Sequence, residues 1–219
     1  WLEADRMNEL AFSEESFNVQ RNVVMEEFKQ SYLNQPYGDL MLLLKPLAYK
    51  VHPYQWNTIG KDIAHIADAS LDEVKDFFYK FYRPNNAILS VAGNIHTEQT
   101  KAWIKKWFAD IPSGTYCPPP LPQEPPQTEA RSLEVVRKVP YDYLLIAFHS
   151  CQRKDEAFYA ADLLSDILSS GNSSRFQEIL VNEKHIFTSI STYLTGTFDK
   201  GLFIINGIPA TGISLQAAE

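Results

Sequence analysis

Two carboxylates stand side by side at Glu26 and Glu27, at the end of the run Arg21-Asn-Val-Val-Met-Glu26-Glu27. On a helix, successive side chains point about 100° apart, so the two cannot act on one atom. Glu27 shares its face with Gln20, Val23, Val24 and Ser31, whereas Glu26 lies closer to Asn22 and Lys29. A carboxylate among valines is costly unless it meets a cation or a hydrogen-bond donor. Two readings stay open on residue types alone. Glu27 either sits at the margin of an apolar stripe, paired with a Lys or Arg, or is offered to a bound cation.

The remaining residues capable of chemistry form no set. His52, His65, His96, His149 and His185 never occur three or four apart, the spacing that puts two ligands on one helical face. His52, just before Pro53, reads as a hydrogen-bonding loop residue. Cys117 and Cys151 are far apart and could pair or stay free. No Cys-x-x-Cys, phosphate-binding glycine loop or nucleophile elbow appears.

These residues must be positioned by helices and short strands. An amphipathic helix at the start carries Trp1, Leu2, Met7 and Leu10. A second spans about Glu14 to Leu33 with Ser13 as its cap, and Pro36-Tyr37-Gly38 breaks it. Asp39 to Ala48 is a shorter apolar helix. Ser70-Leu-Asp-Glu73 is a capping box, opening a helix that bears Phe77, Phe78 and Phe81 and stops before Pro84. Ala87–Ala92 reads as a buried strand, and Thr97 caps a helix whose Trp103, Ile104, Trp107 and Phe108 read as core.

Six prolines then fall between Pro118 and Pro126, a stiff extended linker. Beyond it the spacing predicts strands near Ser132–Val139 and Tyr143–Phe148. A helix follows from Lys154 to Ser170, closed by Gly171, then a short helix near Ser174–Glu183. Strands at about Ile186–Leu194 and Gly201–Gly207 complete the reading. The fold class is α+β: two related layered units of antiparallel sheet packed with helices. The divisions are residues 1–112, the Pro-rich linker 113–130, and a second unit over 131–219. The start reads as a helix already under way and Ile213–Glu219 as the first two turns of another helix, cut off, which predicts an internal piece of a longer polypeptide.

Composition excludes some partners. Twenty-seven acidic against 20 basic residues give a net charge of -7, so no basic face is available for phosphates and nucleic acid is not expected. No apolar run reaches the roughly 18–20 residues of a membrane span.

An ordered series of short motifs points further. Asp5-Arg6-Met7 is followed by Phe17-x-x-x-Arg21-x-Val23-Val24-x-Glu26-Glu27, then His52-Pro53-Tyr54 with Gly60. Next come Tyr82-Arg-Pro-Asn-Asn-Ala87 and Val91-Ala92-Gly93-Asn94. Past the linker stands Leu163-x-x-Asp166-Ile-Leu-x-x-Gly171-x-Ser173-Ser174-Arg175. In this order the series resembles the pitrilysin/insulinase-like zinc metallopeptidases, in the branch of the mitochondrial processing peptidases and bacterial zinc proteases.

The resemblance implies a zinc-dependent endopeptidase acting on extended or unfolded peptides. Two His of a His-x-x-Glu-His helix and a Glu from a later helix would hold zinc, with the middle Glu as general base. That motif, and with it the catalytic base, is expected upstream of Trp1. Glu27 matches the later zinc-ligating Glu. Seven residues earlier the family often has a supporting Glu, where this chain has Gln20. The Arg and Tyr that grip substrate in the family's other half fall here on Val181 and Thr188, so the chain reads as the zinc-bearing half. A second homologous half or subunit would then supply the clasp, and the fragment alone is expected to be inactive. The alternatives are a non-catalytic partner subunit of the same family that only clasps peptide, or a plain interaction domain. Bacterial members of the branch are often exported, which makes a periplasmic or envelope location the expectation.

Overall fold

Ser13 starts the long helix as its residue type predicts: its Oγ accepts the backbone N–H of Ser16 at 3.1 Å. The helix α2 runs Glu14–Phe28 and continues as a π-helical turn over Lys29–Leu33, after a short α1 at Leu2–Asn8. In this computed structural model, which describes all residues 1–219, the order continues with α3 (Leu40–Ala48), α4 (Ile63–Ala67), α5 (Leu71–Phe81) and α6 (Thr97–Phe108). After a long irregular stretch come β1 (Leu144–His149), α7 (Glu156–Ser169), a π-helical segment (Gln177–Glu183), β2 (Phe187–Leu194), β3 (Leu202–Pro209) and a final turn α8 (Leu215–Ala218). No helix is long and apolar enough to cross a membrane.

The chain forms two units. One comprises residues 1–38 and 56–123, the other 39–55 and 124–219. Residues 39–55, placed in the first unit by sequence, therefore pack with the second.

The first unit is built from α1, α2, α4, α5 and α6. Ser70 and Glu73 complete the capping box at the start of α5, each side chain bonding the other's backbone N–H. The predicted strand Ala87–Ala92 is not formed, and Ile88 is 98% exposed. A β-segment needs a neighbour to take up its N–H and C=O groups, and no strand of this unit lies beside it. The same lack explains a second departure. Phe77, Trp103 and Trp107, read as core, are exposed, because no sheet in the unit receives them.

The second unit carries the sheet. Its order is β1-β3-β2 with both pairings antiparallel, for example Ile146 opposite Ile205 and Tyr193 opposite Ile204. Central β3 buries Leu202 and Ile204 almost completely against Ala48 and Tyr49, with Met41, Leu44, Tyr54, Leu145 and Ala147 around them. Each such side chain contributes roughly 1.5–3 kcal/mol by leaving water. Side chains alternate along a strand, so Thr192 and Ile205 face the opposite side. There α7 packs on β2, and Thr192 donates from Oγ1 to the Ser165 carbonyl at 2.9 Å. Gly207 is required on this strand: a Cβ there would stand 2.7 Å from the Phe187 ring. The predicted strand at Ser132–Val139 is absent; the stretch from the end of α6 to β1 contains neither helix nor strand. Tyr159, Leu163 and Ile167 of α7, on the face turned from the sheet, remain exposed.

Candidate functional site

Helix α2 sets the first candidate. Its inner side is anchored by buried Phe28 and by Arg21, whose Nη1 donates to the Ala69 carbonyl at 3.1 Å. Arg21 Nη2 also donates to Asn18 Oδ1 at 2.8 Å, and the guanidinium lies 5.0 Å from the Phe17 ring centre. The Arg of the Arg-x-Val-Val-x-Glu-Glu run is thus a clamp between α2 and the segment after α4. Sequence spacing alone did not assign it that role. The signal available was an Arg four residues after a Phe on the same face.

The other side of α2 is open. Gln20 and Glu27 are exposed, and Val19 and Val23 beside them are 60% and 52% exposed. The two neighbouring acids differ sharply. Glu26 pairs with Lys29 at 2.6 Å, one turn on, whereas Glu27 makes no ion pair and no hydrogen bond. The reading in which Glu27 pairs with a Lys or Arg is therefore not realised. Gln20 and Glu27 are seven residues apart, roughly 10 Å along the axis, and do not touch each other. The face holds one free carboxylate and one amide on a strip of valines.

Zinc does not fit this chain by itself. Catalytic zinc takes three protein ligands. No three His, Cys, Asp or Glu side chains stand close enough together to hold a metal ion, and Glu27 is one donor only.

A second cluster lies in the other unit, where sequence reading saw only a loop. His52 is buried, its Nδ1 accepts the Tyr54 N–H at 3.1 Å, and its Nε2 faces Asp199 Oδ2 at 3.3 Å. Because Nδ1 is the acceptor, Nε2 carries the hydrogen and donates to Asp199. Tyr54 Oη accepts the Asp199 N–H, and Tyr49 Oη donates to the Lys200 carbonyl at 3.1 Å. His149 stacks on Tyr49 with ring centres 5.4 Å apart and donates from Nε2 to the Ala48 carbonyl. Burial, then the neighbouring Tyr54 and Glu124, pushes the Tyr49 hydroxyl well above the usual tyrosine range. Every polar group here is engaged, so the cluster welds residues 49–54 to the turn before β3.

The family profile described as "Peptidase M16 inactive domain" matches residues 68–219, which leaves Gln20 and Glu27 outside it. The zinc protease PqqE of Helicobacter pylori is 30% identical over 213 residues, covering 95% of this chain and 48% of that protein. The crystal structure of a protease from Helicobacter pylori superposes with a TM-score of 0.85 at 28% identity, covering 98% of this chain and 52% of that one. A crystal structure described as a peptidase M16 inactive domain, from Pseudomonas fluorescens, gives 0.71 at 22% identity, over 93% and 49% of the two chains. The chain spans about half the length of the curated relatives it matches.

Proposed function

The chain belongs to the peptidase M16 family, and from that premise we propose that it is the part of a zinc metalloendopeptidase that brings one carboxylate, Glu27, to the metal. The supporting observation is the state of α2: Glu27 is exposed, unpaired and set among exposed valines, while its neighbour Glu26 is already paired. An apolar strip with a bare carboxylate at its end suits a second helix laid over it that carries the other ligands. Gln20, two turns away, would hydrogen-bond that covering helix or a water rather than Glu27. Support of this indirect kind typically changes metal affinity or activity by 10–100-fold when lost. The substrate class proposed is an extended or unfolded peptide, gripped with help from a second homologous half or subunit. The setting proposed is the periplasm or cell envelope.

The relatives are named zinc proteases, and the matching profile describes an inactive domain. That description favours a second reading for residues 68–219: this portion clasps peptide or a partner half without doing chemistry. One experiment separates the readings. In the protein carrying the complete metal site, Glu27→Gln should lower bound zinc and peptidase activity together, and Glu26→Gln should change neither by more than about twofold. Full zinc and full turnover in Glu27→Gln would leave only the clasping role.

A further inference from the structure

Three consecutive backbone N–H groups converge on one side chain in the second unit. Lys50 donates to Glu124 Oε1 at 2.7 Å, and Val51 and His52 donate to Oε2, each at 2.9 Å. Successive N–H groups turned the same way form an anion-binding concavity, here filled by a carboxylate from 72 to 74 residues further along the chain. Glu124 is held stiffly for the role. Pro122, Pro125 and Pro126 flank it, and the residue before a proline is confined to extended backbone. The connectivity gives the contact its consequence. The chain leaves the second unit after Gln55 and re-enters it at Glu124. The carboxylate therefore closes a loop of residues 56–123 onto the segment just before the departure point.

We propose that Glu124 is a carboxylate latch that fastens the end of the Pro-rich linker to residues 50–52 and releases it on protonation. A neutral carboxyl accepts far less well than a carboxylate from three N–H groups at once, so loss of the charge loosens all three bonds together. Partial burial works against the charge, but the bonds from His52, Val51 and Lys50 and the nearby His149 outweigh it. They hold the Glu124 carboxyl below the usual glutamate range. Tyr49 also faces it, Asp199 stands beyond His52, and Lys50 Nζ is turned away to the Pro46 carbonyl. Arg131, further along the same segment, donates to the Leu47 carbonyl at 2.7 Å and adds a fastening that does not titrate. A depressed carboxyl value means the latch is closed at and above the ordinary glutamate range of about 4.3 and opens as pH falls below it.

Hydrogen exchange on the whole 219-residue chain at pH 7.5 tests the latch directly. Glu124→Gln should speed exchange of the Lys50, Val51 and His52 amides at least tenfold while the β3 amides of residues 202–209 stay protected. Glu129→Gln, an exposed acid on the same linker, should change the 50–52 amides less than twofold. Protection of 50–52 within twofold of the parent chain in Glu124→Gln would overturn the proposal. If that variant also loses β3 protection, a pH series on the unsubstituted chain decides, with rates corrected for intrinsic exchange. Amides 50–52 opening at higher pH than β3 supports the latch, and simultaneous loss refutes it.

Discussion

Two regions rich in residues that could do chemistry behave in opposite ways. Around His52, each polar group has a partner: both ring nitrogens, Asp199, Tyr49, Tyr54 and the three amides on Glu124 are all bonded. On the open face of α2, Glu27 and Gln20 bond nothing and lie among exposed valines. The first region is the richer in histidine and tyrosine, yet its chemistry is spent on holding a loop to a sheet. The second offers little more than one carboxylate, yet that carboxylate is the group still available. A buried group already bonded cannot take a new ligand without losing an old partner, which is why the proposed function rests on the unpaired carboxylate.

The comparison can be broken at several points. The largest effect expected is in the longer protein that holds the complete metal site. Glu27→Gln should reduce peptidase turnover more than 100-fold, beyond what loss of an indirect contact produces. Its thermal midpoint without metal should hardly move, since an exposed substitution away from special features stays within about 0.5 kcal/mol. A large loss of apo stability would mean Glu27 is structural after all.

In the sheet unit the expectation reverses. Ile204→Ala removes a side chain with no exposure at the centre of β3 and should cost about 2–5 kcal/mol, read from chemical denaturation. A smaller effect in the same unit follows from His52→Ala. It leaves the Tyr54 amide and the Asp199 carboxylate without their shared partner, for about 1–3 kcal/mol. The sheet cluster would lose its structural reading if His52→Ala left stability unchanged while altering activity.

Two smaller tests sharpen the contrast. Gln20→Ala should lower turnover about tenfold or more with zinc content intact; equal loss of zinc would mean that Gln20 and Glu27 have been assigned in the wrong order. Ser70→Ala removes both the side-chain acceptor for the Glu73 N–H and a donor to the Glu73 carboxylate. About 1 kcal/mol of helix stability should go with it, visible as a lowered thermal midpoint and no change in activity.

Local chemistry was legible from residue order alone. Ser13 and the Ser70/Glu73 pair announced helix starts because a cap acts within three residues of itself. The alternating apolar residues of β2 and β3 announce strands, and the ordered motifs point to the family by themselves. The open side of α2 was half legible: spacing put Gln20, Val23 and Glu27 on one face, but nothing in the order of residues said whether Glu27 would find a cation. Other features were decided only in three dimensions. Ala87–Ala92 has the composition of a strand but no strand beside it, since pairing depends on a neighbour that residue order does not supply. Residues 39–55 joined the far unit because Tyr49, His52 and Tyr54 find their partners at residues 199 and 200, about 150 positions away. Capping and periodicity are short-range and are written in neighbouring residues. Partnership of buried polar groups is long-range, and only the folded chain assigns it.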